Sequence, residues 1–142
     1  MSKSSVLMLT NTQGQLNIAG AAVRADGWYG FSDGLHTLAI YVVNFTGRLW
    51  IEASLADAPT DNDWFPVTIS GNDATPYLQF PLDPLRPTGT NSMGDTATMG
   101  LNIIGNYTWL RARVDRSYIA PIPTTQPQIF ALGYVDHILI NN

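Results

Sequence analysis

Residues 44–67 read NFTGRLWIEASLADAPTDNDWFPV, and the side chains from Gly47 to Leu55 alternate. Leu49, Ile51, Ala53 and Leu55 point one way; Arg48, Trp50, Glu52 and Ser54 point the other. A period of two is the signature of a strand with one face in a core. The Thr46-Gly47 turn before it and the acidic stretch after it mark a strand, a loop and a second strand. The same parity places Trp50 on the side that should meet water.

Strand-like runs recur along the chain. They are Ser5 to Thr10, Gln15 to Ala22, Trp28 to Phe31, His36 to Phe45, Arg48 to Leu55, Trp64 to Ser70, Tyr77 to Phe80, Thr96 to Ile104, Tyr107 to Ser117 and Ile129 to Ile140. Turn residues separate them, and no amphipathic helix of useful length is visible. About ten strands at this spacing predict one all-β domain over residues 1–142, an antiparallel β-sandwich or jelly roll, with a small barrel as the other option. A chain of 142 residues has the size of one domain. His36 to Phe45 and Ile129 to Ile140 are apolar at both parities, which predicts strands inside a sheet.

Charged residues make up 13% of the chain, about half the usual fraction, so little of the surface is ionic. Lys3 is the sole lysine and Glu52 the sole glutamate. A net charge of −4 argues against nonspecific nucleic-acid binding, which runs on clustered positive charge. The chain has no cysteine, so disulfides and thiolate metal sites do not arise. The apolar run Val6 to Leu9 is too short for a signal-peptide core, and no stretch is long enough to span a membrane as a helix. Synthesis in a cytoplasm is the expectation.

No catalytic motif emerges. There is no G-x-S-x-G elbow and no H-E-x-x-H pair; His36 and His137 are expected to be ordinary hydrogen-bonded histidines. Asp26, Asp33 and Asp95 adjoin glycines, where a short carboxylate favours turns. Asp57, Asp61 and Asp63 offer oxygen ligands within one loop, but not at calcium-loop spacing. We expect a self-capped polar turn there, with no metal or cofactor. The Pro-rich stretches Pro81 to Asp95 and Ile119 to Pro127 are expected to be irregular, the first being either a functional loop or a solvated crossover between the two sheets.

Tyr107 to Ser117 carries the most informative pattern. Thr108, Leu110, Ala112 and Val114 form a small apolar face; Tyr107, Trp109, Arg111, Arg113 and Asp115 form the other. Two strands thus place Trp and Arg outward, making Arg48, Trp50, Tyr107, Trp109, Arg111 and Arg113 the candidate interface or ligand face. Three readings fit. Trp, Tyr and Arg are enriched at protein-interface hot spots; flat aromatics beside polar groups suit sugar rings; or the chain's own loops cover them, with arginines stacked on rings or paired with carboxylates.

The stretch LTNTQGQLNIAGAAVRADGWYGFSDGLHTLAIYVVNFTGRLWIEASLADAPTDNDWFPV and the later WLRARVDRSYI resemble small virion structural proteins of tailed bacteriophages, notably phages of cyanobacteria. The likeness runs from Leu9 to about Ile119. It implies a non-enzymatic β-sandwich part of a virion: a capsid decoration protein, or a head–tail, baseplate or fibre accessory. Its implied partners are other virion proteins and copies of itself, with host-receptor glycans as the alternative. It carries over no catalytic residue.

Overall fold

The computed structural model describes residues 5–30, 34–69, 75–82 and 94–141. Two antiparallel sheets pack face to face as a β-sandwich, confirming the all-β architecture. One sheet, sheet A, has the order β1 (Ser5–Leu9), β10 (Tyr134–Asn141), β4 (Leu35–Phe45), β8 (Asp95–Ile104). The other, sheet B, centres on β9 (Trp109–Asp115) paired with β5 (Gly47–Ser54). The short strands β2 (Ile18–Ala19) and β3 (Val23–Arg24) flank β9. On the far side of β5 lie β6 (Phe65–Pro66) and β7 (Tyr77–Phe80).

Alternation fills the space between the sheets. Leu38, Ile40, Ile138, Ile140 and Ile103 come from sheet A; Leu49, Ile51, Ala53, Leu110, Ala112 and Val114 from sheet B, and all are fully buried. Each fully buried large aliphatic side chain contributes about 1.5–3 kcal/mol. Phe45 and Phe80 close one end of the core, their rings 5.3 Å apart. Register is pinned by bulges in β1, β10 and β4. At the last of these Asn44 takes φ 48, and Phe45 turns inward.

Four expected strands are corrected. Residues from Trp28 do not form a strand: Asp26–Tyr29 is a short helix, α1, ended by Gly30 at φ 79. Asp26 is drawn fully inside, where its N–H donates to His36 Nε2 at 3.1 Å. Gly27 lies so close to the Tyr107 and Asn106 carbonyls that a Cβ would collide with them. The start of the last expected strand is likewise a helix, α2 (Gln126–Phe130), capped by Thr125 and Gln128. Gly133, at φ 69, then passes against the Asn44 carbonyl where only glycine fits, and β10 begins. Only Ile18–Ala19 of the run Gln15 to Ala22 is strand, and only Phe65–Pro66 plus a bridge at Ile69 in the run from Trp64. Phe31, Asp33 and Ser70 lie outside the described residues, as does most of Pro81 to Asp95. The ends of that stretch meet where Leu82 N–H donates to Asp95 Oδ2 at 2.8 Å.

The two dry faces of β4 have different fates. Leu38, Ile40 and Val42 enter the core, whereas Ala39, Tyr41 and Val43 are only half-buried on the outer side.

Arg116 is the largest side chain fully buried. Its Nη2 donates to the Gly133 carbonyl at 2.8 Å, and its guanidinium lies 4.9 Å from the Phe45 ring. Burial lowers its pKa to about 10, with the neighbouring Tyr118 opposing the shift. A buried charge with no carboxylate beside it among the described residues contributes little net stability, because desolvation offsets its contacts. Arg116→Met is therefore expected to be neutral or stabilising in chemical denaturation, while Leu49→Ala loses about 3 kcal/mol.

Candidate macromolecular interface

Residues that alternate inward on β5 and β9 leave an opposite row, and the pairing of the strands turns that row into a lattice. The registers align Gln79, Arg48 and Asp115 in one cross-strand row, and Tyr77, Trp50, Arg113 and Ala19 in the next. Pro66, Glu52 and Arg111 form a third, and Ser54, Trp109 and Arg24 a fourth. All of these project from the outer face of sheet B.

Each guanidinium lies over a ring. Arg48 sits 4.5 Å from the Tyr77 centroid and 4.2 Å from that of Tyr118. Arg113 lies 4.8 Å from Trp50, Arg111 4.4 Å from Trp64 and Arg24 4.0 Å from Trp28. Such stacks contribute about 0.5–1 kcal/mol at exposed sites and more when desolvated. Trp50 also packs on Tyr77, with centroids 4.9 Å apart.

Glu52 ties the lattice together. It is 8% exposed and accepts from Arg111 Nε at 2.8 Å and Arg113 Nε at 3.2 Å. The only glutamate in the chain thus bridges two arginines on the adjacent strand. Arg48 instead donates its Nε to Gln79 Oε1 at 3.0 Å. Arg113 also approaches Asp115 at 3.9 Å.

Burial pushes the Asp115 carboxyl up, but hydrogen bonds from the Ser117 hydroxyl and amide, and then the charge of Arg113, outweigh it. The result is a carboxyl below its usual range. The Trp50 indole N–H adds a weak pull, though that buried group meets no acceptor at hydrogen-bonding geometry among the described residues. Burial also raises the phenols of Tyr107 and Tyr118.

Five of the six candidate residues, Arg48, Trp50, Trp109, Arg111 and Arg113, share this face. Tyr107 departs from it. It precedes β9, packs against the core and lies over Gly105, with its ring 5.9 Å from Phe65. Trp109 donates its Nε1 to the Asp57 carbonyl at 3.1 Å and neighbours Trp28 at 6.5 Å. Alternation in Tyr77-Leu78-Gln79-Phe80 would have assigned Tyr77 and Gln79 to the same side. Trp64 and Tyr118 lie outside regular strands, where no sequence period reaches them.

Beside the Trp109 end, Trp28 and Tyr29 are each 43% exposed, Leu55 63% and Phe65 37%. The lattice itself is half-buried. It presents the guanidiniums of Arg24, Arg48, Arg111 and Arg113 against the carboxylates of Glu52 and Asp115, in a chain of net charge −4.

The other chemical candidates separate from one another. His36 is inside the core and His137 on the outer face of sheet A, stacked 3.9 Å from Tyr41 and 2.6 Å from Asp136 Oδ2. In the acidic loop, Asp63 accepts from the Thr60 amide at 2.6 Å and hydroxyl at 3.0 Å. Those bonds hold the Asp63 carboxyl below its usual range, as a turn cap does. Among the described residues no three potential metal ligands cluster.

Glu52→Gln is expected to cost about 1–2 kcal/mol in chemical denaturation, because it leaves two guanidiniums facing a neutral amide. The Asp115 carboxyl has a folded pKa below its unfolded value of about 3.9. Its contribution is therefore complete above that value and lost as pH falls through the folded pKa. Asp115→Asn should flatten the dependence of Tm on pH below about 4, read by scanning calorimetry.

No protein-family model matches this sequence, and neither a curated protein nor a solved structure matches it.

Proposed function

We propose that the chain is a non-enzymatic structural component of a tailed-phage particle, a capsid decoration or head–tail, baseplate or fibre accessory, that works by docking on other particle proteins or on copies of itself. The phage assignment rests on the sequence resemblance. The docking role rests on one observation, the guanidinium–aromatic lattice on the outer face of sheet B.

Two physical points favour docking. The arginines are already held by rings and by Glu52, so a partner that covers them pays little side-chain ordering entropy. The exposed Trp28, Tyr29, Leu55 and Phe65 supply uncovered apolar area of the kind that marks interaction sites. An acidic partner surface would complement the cationic excess, and many weak contacts of one type add up in a repetitive particle.

A glycan is the second reading, and one feature favours it. An open depression of about 370 Å³ is lined by Val6, Ala22, Val23, Arg24, Tyr29 and Trp109, an aromatic and polar mixture that suits a sugar ring. Against it, guanidiniums already lie over Trp28, Trp50 and Trp64, occupying ring faces a sugar would stack on.

Trp109→Ala is the test. Docking predicts a loss of about 2 kcal/mol, roughly thirtyfold in affinity, in sedimentation velocity with particle proteins, with the far-UV spectrum unchanged. A chain that stays monomeric at high concentration and with those proteins present would remove the reading. Specific glycan-array binding abolished by Trp109→Ala would replace it with the second.

A further inference from the structure

We propose that the Thr96–Ile104 edge of β8, unpaired among the described residues, pairs antiparallel with the β8 edge of a second copy, continuing sheet A across a two-fold axis at Gly100. This surface is separate from the lattice on sheet B.

Exposed strand edges carry unpaired N–H and C=O groups, and proteins usually blunt them with short strands, bulges, proline or charge. The other edges here follow that rule. β2, β3 and β6 are two residues long, β6 contains Pro66, β7 is four residues long, and the five-residue β1 carries a bulge. β8 does this only at its first residue, Asp95. It spans ten residues, and among the described residues it pairs with β4 alone. Eight consecutive pairs, from Leu35↔Ile104 to Val42↔Ala97, run without a break. Thr96 to Ile104 contains no charged residue and no proline.

The side chains at this edge are also incompletely covered. Thr96, Thr98, Asn102 and Ile104 are exposed on the outer face, Ile104 at 67%. On the inner face Ile103 is fully buried, but Met99 and Leu101 are only partly so and Ala97 is exposed. A further strand would cover that apolar row.

The strand is complementary to itself, which selects a second copy as the occupant. With Gly100 opposite Gly100, Thr98 of one copy faces Asn102 of the other, Met99 faces Leu101, and Ala97 faces Ile103. In these three pairs polar residues meet polar ones and apolar meet apolar, and the pattern repeats under the two-fold rotation, as an isologous interface requires. Thr96 faces Ile104 at each end. The one charge in the strand, Asp95, falls at opposite ends of the ribbon, so like charges are kept apart. At the axis, a Cβ on Gly100 would meet nothing within 4 Å, leaving room for the approach.

The chain has no cysteine, so Gly100→Cys supplies a lone thiol. Directly opposed residues have Cβ atoms about 4.5–5.5 Å apart, and mild oxidation should give a disulfide-linked dimer. Two cysteines at Thr96→Cys would lie about 27 Å apart and should stay unlinked. Gly100→Lys places two ammonium groups face to face across the axis. It should shift the monomer–dimer equilibrium at least tenfold toward monomer in analytical ultracentrifugation, without lowering the Tm measured at dilutions where both forms are monomeric. Trp109→Ala, on the other sheet, should leave this dimer intact. Equal cross-linking at positions 96 and 100, or a wild-type chain that stays monomeric at millimolar concentration, would overturn the proposal.

Discussion

The seven-residue pairing of β5 with β9, from Arg48↔Asp115 to Ser54↔Trp109, is the constraint on which the rest depends. It sets Leu49, Ile51 and Ala53 beside Val114, Ala112 and Leu110 on the inner side. By the same act it sets Trp50, Glu52 and Arg48 beside Arg113, Arg111 and Asp115 on the outer side. A slip of one residue would carry every side chain of a strand to the wrong face. It would bury guanidiniums and expose the aliphatic row. Core and lattice are therefore two readings of one register, and the bond from Glu52 to both arginines reinforces the register that creates it.

Local alternation was the readable part of this fold. The inward and outward sets of β5 and β9 follow from period two, and so does the prediction that Trp and Arg project outward. The helices were less legible. In α1, Trp28 and Tyr29 favour strands, yet the backbone turns because Asp26 engages His36 and Gly27 must lie against Tyr107. Those contacts come from distant segments and leave no local trace. The start of α2 did leave a signal, since Thr125-Gln126-Pro127-Gln128 has the form of a capping box. Apolar residues after it gave the false impression of a longer strand. Tyr107 shared the parity of Trp109 but falls before β9 begins, so the alternation no longer decided where its ring went. Strand order is a further long-range property, and the open edge of β8 could not be seen until β4 was known to be its neighbour.

The two surfaces differ in physical kind. The sheet B face offers ordered cations, indoles and an exposed aromatic rim, so a contact made there would be directional and sensitive to salt. The β8 edge offers backbone hydrogen bonds and a neutral row of small side chains, and its specificity lies in register. A chain with only 13% charged residues has little repulsion to oppose either contact. Two such surfaces on opposite sheets would allow one to join copies while the other grips a partner.

All four tryptophans of the chain, Trp28, Trp50, Trp64 and Trp109, lie in or beside the lattice, so indole fluorescence reports on that face. The most direct measurement is acrylamide quenching across a concentration series of the Gly100→Lys form, with and without particle proteins, alongside sedimentation. Quenching should fall in step with assembly as a macromolecule covers the rings. Assembly with an unchanged quenching constant would show that the lattice is not the surface that docks.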